Sequence, residues 1–295
     1  MDTSDLAKRM KDYEKINRYY LQRRLPVVIR LDMRAGHTFT KGFQRPFDEV
    51  FMKTIQQTAK YLCENIQNVK MSYQQSDEIS LVLVDYEKLN TDSWFDYRID
   101  KLCSIAASMA TLAFNKLFRK SVHEFVEVTY GSHDDLIKMN DDYMDIIADA
   151  ADKGAMFDAR VFNIPREEVC NCIYWRQLDA SRNSIQMVGQ ANFSHKELQN
   201  KSCNDIQDML MTQKGINWND FPAYQKWGSC VIKEEYWVDK NTGAEYSEVY
   251  SEVLNRVGGS ENDIKRSRWI IDKNIPIFKG EGRKYIEQLI NVGEE

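Results

Sequence analysis

The sequence has no run of about 18 or more apolar residues, which excludes a membrane-spanning helix. Its first residues, MDTSDLAKRMKDYEKINRYY, are charged from the start and hold no apolar segment of the kind an export signal needs, so a cytoplasmic protein is expected. The six cysteines (Cys63, Cys103, Cys170, Cys172, Cys203 and Cys230) lack metal-knuckle or redox-pair spacing, the nearest pair being Cys170-Asn171-Cys172, and they read as reduced thiols. His123, His133 and His195 show no ligand spacing either. There is no internal repeat and no low-complexity linker. The net charge of −5 excludes a protein that coats nucleic acid indiscriminately, because such binding neutralises phosphates with Lys and Arg.

The distribution of charge says more than the sum. Residues 1–45 hold eleven Lys and Arg against five acids, whereas residues 133–152 hold seven Asp and one Lys. The second stretch reads as an acidic, irregular surface loop or insertion. With 295 residues and 43% hydrophobic content, the chain can bury a real core.

A helix over residues 5–20 precedes the apolar run Val27-Val28-Ile29-Arg30-Leu31, a buried strand that stops at Asp32. A polar, Gly-containing turn leads to a helix opened by Pro46 and running to about Cys63. Val69 to Tyr73, the tight segment Gln74 to Glu78, and Ile79 to Val84 read as a hairpin. A long helix rich in small residues, Asp96 to Leu117, a strand Asp158 to Asn163 and a helix from Pro165 to about Val188 follow. A second hairpin is expected from Cys230–Trp237, a turn at 239–243 and Glu245–Tyr250. The order βαββαβα contains the split βαβ of a ferredoxin-like, polymerase- or cyclase-type palm, so the fold class is α+β with extra helices and a C-terminal hairpin extension. The expected division is 1–130, N-terminal helix and first half of the palm; 131–155, acidic insertion; 156–235, second half of the palm; 236–295, C-terminal extension.

In a split βαβ sheet the first and third strands are antiparallel neighbours, which puts Asp32 beside Asp77 and Glu78. Carboxylates gathered at strand ends repel one another unless a cation sits among them. Magnesium suits such an oxygen-rich site, and a two-ion pair clamps the attacking and leaving oxygens of a phosphoryl transfer. Met33 to His37 then turn just beyond the metal and offer backbone N–H groups to a triphosphate, with Arg34, His37 and Arg45 as cations and the Ser76 hydroxyl as a donor. A helix cap at Asp32 and ordinary turn chemistry at Ser76-Asp77-Glu78 are the plainer alternative.

Four motifs in order, VVIRLDMRAGHTF, YQQSDEISLVL, FDARVFNIP and YWRQLDASRN, resemble those of the tRNA-His guanylyltransferase and guanylyltransferase-like family, the reverse (3′-to-5′) polymerases. The resemblance runs to about residue 235. It implies Asp32, Asp77 and the Met33 carbonyl as ligands of two magnesium ions, Glu78 as an accessory catalytic carboxylate, and Met33, Arg34, Ala35, Gly36, His37 and Ser76 around the triphosphate. It places Phe43, Arg45 and Asp48 near the base or phosphates, and Lys11 and Arg30 near a second triphosphate. Arg176, Gln177, Asp179 and Asn183 match the motif of the second palm helix. ATP and GTP are the implied substrates, tRNA the partner, and a homotetramer the implied assembly.

Two departures stand out. Met33 occupies a position where the family has Gly, which would be strained if φ there is positive. Ser181-Arg182-Asn183-Ser184 replaces the His-Ile-Asn-Asn of enzymes devoted to tRNA-His and resembles bacterial, archaeal and phage-type relatives that repair 5′-truncated tRNAs opposite a template. The rivals are a nucleotide cyclase or signalling-nucleotide synthetase on the same palm, and a non-catalytic RNA-binding protein.

Overall fold

Alternating burial along Val27–Met33 (β1) sends Val27, Ile29, Leu31 and Met33 to one face of a sheet and Arg30 and Asp32 to the other. The computed structural model describes residues 4–131 and 141–292. The other strands are β2 (Val69–Gln75), β3 (Glu78–Leu83), β4 (Phe157–Asn163), β5 (Ser229–Asp239) and β6 (Asp263–Asp272). They form one sheet in the order β4-β1-β3-β2-β5-β6, with every neighbouring pair antiparallel. The first four give the expected split βαβ palm, and β5 and β6 extend it beyond β2.

The helices are α1 (Asp5–Lys15), α2 (Gly36–Phe39), α3 (Glu49–Asn65), α4 (Ile99–Gly131), α5 (Asp141–Lys153), α6 (Arg166–Asn192), α7 (His195–Leu198), α8 (Cys203–Met209), α9 (Ala223–Trp227), α10 (Glu248–Val257) and α11 (Lys284–Ile290). The odd-numbered face of β1 packs under α3, α4 and α5 in the main core, where Ala106 and Ala110 let α4 approach the sheet closely. On the opposite face α6 lays Val169, Cys170 and Ile173 against Met71, Tyr73 and Val82, joined by Ile286 and Ile290 of α11.

Four expectations change. The long helix expected over Asp96–Leu117 runs from Ile99 to Gly131. Asp141–Lys153, read as irregular on composition, is a helix whose Tyr143, Ile147, Ala150 and Ala151 join the main core while Asp142, Asp145, Asp149 and Asp152 are exposed; residues 132–140 of the acidic stretch lie outside the described residues. The hairpin partner of β5 is β6, not 245–250. The expected turn does form, with Asp239 Oδ1 accepting from the amides of Asn241 (2.9 Å) and Thr242 (2.7 Å), but no second strand follows: the Glu245 backbone joins β5 through an isolated bridge to Val238, and Ser247 caps α10. Finally, β1 runs on through Asp32 to Met33. Among the described residues no helix is long and apolar enough to cross a membrane, and all six cysteines are free thiols.

Candidate active site

Asp32 is the penultimate residue of β1 and stands in register with Glu78 of β3 on one side and Asp158 of β4 on the other. Cross-strand partners share a face, so three carboxylates form a row at this edge. Asp77 occupies the two-residue turn between β2 and β3, and the Met33 amide donates to its carbonyl oxygen at 3.2 Å, which stitches the end of β1 to the hairpin. Burial pushes the Asp77 carboxyl above its usual range, and the nearby charge of Asp32 adds to the rise, while its own backbone amide and the Ser76 hydroxyl pull it back. The pair therefore favours a cation when ionised. Among the described residues no three His, Cys, Asp or Glu side chains converge to enclose an ion on their own. Asp32 and Asp77 fit an ion that draws its remaining oxygens from water and phosphate, which is how magnesium binds.

The loop beyond β1 is built around Asp77. A Cβ added at Gly36 would stand 1.9 Å from Asp77 Oδ2 and 2.8 Å from its Cγ, so the carboxylate lies directly on the Gly36 backbone and only glycine leaves room for it. The left-handed residue is Ala35, at φ 55° and ψ 39°, whereas Met33 is ordinary strand backbone. The strain expected at Met33 thus sits two residues on, and a side chain at 33 is free to enter the core, where it is 3% exposed. After Ala35 the chain turns into α2, whose first amides lack intrahelical acceptors and face forward from the turn.

A cleft of about 360 Å³ opens between this loop, α3, α6 and α9. Of the residues predicted from sequence, Gly36, His37, Phe43 and Arg45 line it on one side and Ser76, Asp77 and Asn183 on others. Phe43 is mainly a packing residue, stacked on Phe118 with centroids 5.9 Å apart. Asp48 is buried and committed to the wall itself: it caps α3 through the Phe51 amide (2.9 Å), accepts from the Gln44 amide (3.0 Å) and accepts from the Tyr143 hydroxyl of α5 (2.7 Å). Arg34 and Ala35 line a separate hollow of about 500 Å³ behind the loop, with Lys41 and Lys153.

Glu78 and Arg176, placed in separate roles by motif, pair with each other. Arg176 donates from Nε and Nη2 to the two Glu78 oxygens, both at 2.7 Å, and from Nη2 to Asp179 at 2.8 Å. Burial raises the Glu78 carboxyl above its usual range even though Arg176 opposes that rise. With 9% and 11% of their side chains exposed, these are interior charges, and removing one strands the other. Arg176→Ala is expected to cost about 3–5 kcal/mol. A carboxyl raised in the folded state contributes stability at low pH that is lost as pH rises through its folded value, so the deficit grows from pH 5 to pH 8; urea titrations at the two pH values measure it. An equal deficit at both would contradict the pairing.

Gln177 does not face the cleft: it donates to the Pro276 carbonyl (2.9 Å) and accepts from the Phe278 amide (2.8 Å), anchoring the C-terminal segment. Lys11 lies on α1, which buries none of its residues, and is not brought to the carboxylates by any described contact. Arg30 lies on the Asp32 face two residues before it, with its guanidinium 5.7 Å from the Trp175 ring.

Sequence reasoning missed Asp158, Met187, Gln190, Tyr224 and Lys226. The signal for the α6 pair was present, since Asn183, Met187 and Gln190 recur at helical spacing. For α9 there was none. Lys226, 9% exposed, donates to the Asn219 carbonyl at 2.6 Å with its ammonium 4.5 Å from the Trp227 ring.

The model of the tRNAHis guanylyltransferase family matches residues 7–165. A bacterial tRNA(His) guanylyltransferase-like protein, solved in complex with ATP, superposes with a TM-score of 0.73 at 38% identity over 98% of this chain and 100% of that one. One solved with GTP gives 0.70 at 35% identity over the same shares. The tRNA(His) guanylyltransferase of Saccharomyces cerevisiae is 25% identical over 238 residues, 76% of this chain and 89% of that protein.

Proposed function

This chain belongs to the tRNAHis guanylyltransferase family, and on that premise we propose that it repairs 5′-truncated tRNAs by adding nucleotides opposite a template. It is a nucleotidyltransferase that works in the 3′-to-5′ direction on the tRNA 5′ end, with ATP and GTP as its nucleotides. The observation that carries the site assignment is Asp77 lying on the Gly36 backbone beside Asp32, at the mouth of a cleft of nucleotide size.

In this reading the first amides of α2 and the Ser76 hydroxyl hold the triphosphate, and His37 and Arg45 offset its charge. The base enters the cleft between Phe43 and Asn183, with Asp48 and Tyr143 keeping its wall in place. Asp32, Asp77 and the Met33 carbonyl hold two magnesium ions, which supply charge stabilisation to the in-line displacement. Activation joins the RNA 5′-phosphate to the α-phosphate of a nucleoside triphosphate with release of pyrophosphate; the 3′-hydroxyl of the incoming nucleotide then displaces the nucleoside monophosphate. The protein's part is positioning and charge, with no nucleophilic side chain. Glu78, held by Arg176, keeps the floor beneath Asp32 rigid. Ser181-Arg182-Asn183-Ser184 supports the template-dependent form of the reaction, and the protein is read as a cytoplasmic homotetramer.

The test uses purified protein, magnesium, ATP, labelled nucleoside triphosphates and a 5′-monophosphorylated tRNA lacking its first nucleotide, beside Asp32→Ala. Extension opposite the template, absent in the variant, supports the reading. Addition that ignores the opposing base removes the template requirement, and a cyclic or linked nucleotide product moves the site to the cyclase class.

A further inference from the structure

Trp175 of α6 is 55% exposed, and Leu178, one turn further on, is 51% exposed, on a helix whose other side is packed into the core. An indole left half in solvent loses the burial that would stabilise it in a core, and it needs another account. Its surroundings are cationic. The Arg176 guanidinium lies 4.6 Å from the ring centroid and that of Arg30 at 5.7 Å. Arg30 stands in register with Arg160 of β4, and neither makes a salt bridge among the described residues. Arg30 precedes Asp32 by two residues on the same strand face, a step of about 7 Å, so this patch borders the carboxylate row. Arg176 ties it to that row through Glu78, the cross-strand partner of Asp32.

An exposed aromatic ring beside an unpaired guanidinium group, here that of Arg30, with a second on the next strand at Arg160, is the combination that holds the end of a nucleic-acid strand: the base stacks on the ring and the phosphates meet the cations. We propose that Trp175 is a stacking platform for the terminal base of the RNA 5′ end, with Arg160 contacting its backbone, so that the 5′-phosphate is presented to the Asp32–Asp77 pair. This rests on the reading of the chain as an RNA 5′-end nucleotidyltransferase. Trp175 is a positioning residue and takes no part in bond making.

The probe is a 5′-monophosphorylated tRNA lacking its first nucleotide, with 2-aminopurine as its 5′-terminal base, titrated with the full chain in the absence of nucleoside triphosphates. Stacking quenches the probe. Wild-type protein should quench it; Trp175→Ala should lose most of the quench and raise the KM for RNA about tenfold or more, leaving the KM for nucleoside triphosphate unchanged, while Trp175→Phe restores both. Arg160→Ala should lower the slope of log affinity against log salt by about one. Unaltered quench and RNA KM in Trp175→Ala would overturn the proposal. So would an unaltered quench with an altered elution volume, which would give the face to a second copy of the chain. Wild-type protein that quenches the probe without extending it leaves the platform in place and removes the nucleotidyl-transfer reading instead.

Discussion

Asp77→Asn should lose 5′ extension by at least about a thousandfold, since a metal-held charge supplies several kcal/mol to a phosphoryl transition state. The same change should not destabilise the metal-free protein. Burial and the charge of Asp32 raise the Asp77 carboxyl in the fold. A carboxyl that is raised on folding binds its proton more tightly in the native state, so its contribution is stabilising at low pH and is lost as pH climbs through the folded value. At neutral pH the ionised pair works against the fold, and the isosteric amide removes that repulsion. In chelator, the variant's melting temperature should match or exceed the wild type at pH 8 and lose that advantage at pH 5. Magnesium should raise the wild-type melting temperature, because a ligand bound only by the native state adds to its stability, and should leave Asp77→Asn unmoved. Equal responses to magnesium would place the ion elsewhere.

Gly36→Ala should fold and fail to work. The added methyl group would fall 1.9 Å from Asp77 Oδ2, but that atom ends a short side chain, which can swing aside without disturbing the backbone. Gly36 opens α2 and is not among the residues at positive φ, so alanine meets no backbone penalty there. The melting temperature should change by no more than the equivalent of about 1 kcal/mol, as for a tolerated substitution. The displaced carboxylate, however, leaves its working position by an ångström or more. A shift of that size costs about a hundredfold in rate. Single-turnover extension beside thermal denaturation separates the two effects, and full activity in Gly36→Ala would show that the observed Asp77 position is not the one that reacts.

The palm was readable because its signals are local. The apolar run Val27–Leu31, the tight turn at Ser76-Asp77 and the strand at 158–163 each declare themselves within a few residues, and the rule that strands one and three are neighbours does the rest. What escaped depends on partners far along the chain. β6 carries Lys265, Arg266 and Arg268; it becomes a strand by pairing along its whole length with β5, with Trp269 and Ile271 packed against the main core. α5 looked like a loop because five Asp are spread along it, yet Tyr143, Met144, Ile147, Ala150 and Ala151 between them share one buried face. The Glu78–Arg176 pair joins positions 98 residues apart, and no motif at either end declares it. The backbone strain in the phosphate loop was tied to the wrong residue because a family glycine at position 33 suggested positive φ there, whereas the turn is made at Ala35.

β1 holds the middle of the palm, with β3 on one side and β4 on the other, and both neighbours follow it in the chain. The wall of the cleft depends in the same way on a hydroxyl 95 residues after the carboxylate it holds. During synthesis, Asp32, Gly36 and Asp77 leave the ribosome early, but the strand that closes their sheet ends at Asn163 and the helix that crosses their face ends at Asn192. Contacts so distant in sequence form late, because the intervening chain must first be ordered. Nascent chains shorter than this carry Asp32, Asp77 and Glu78 without the frame that makes them a site, so catalytic competence comes with the second half of the palm.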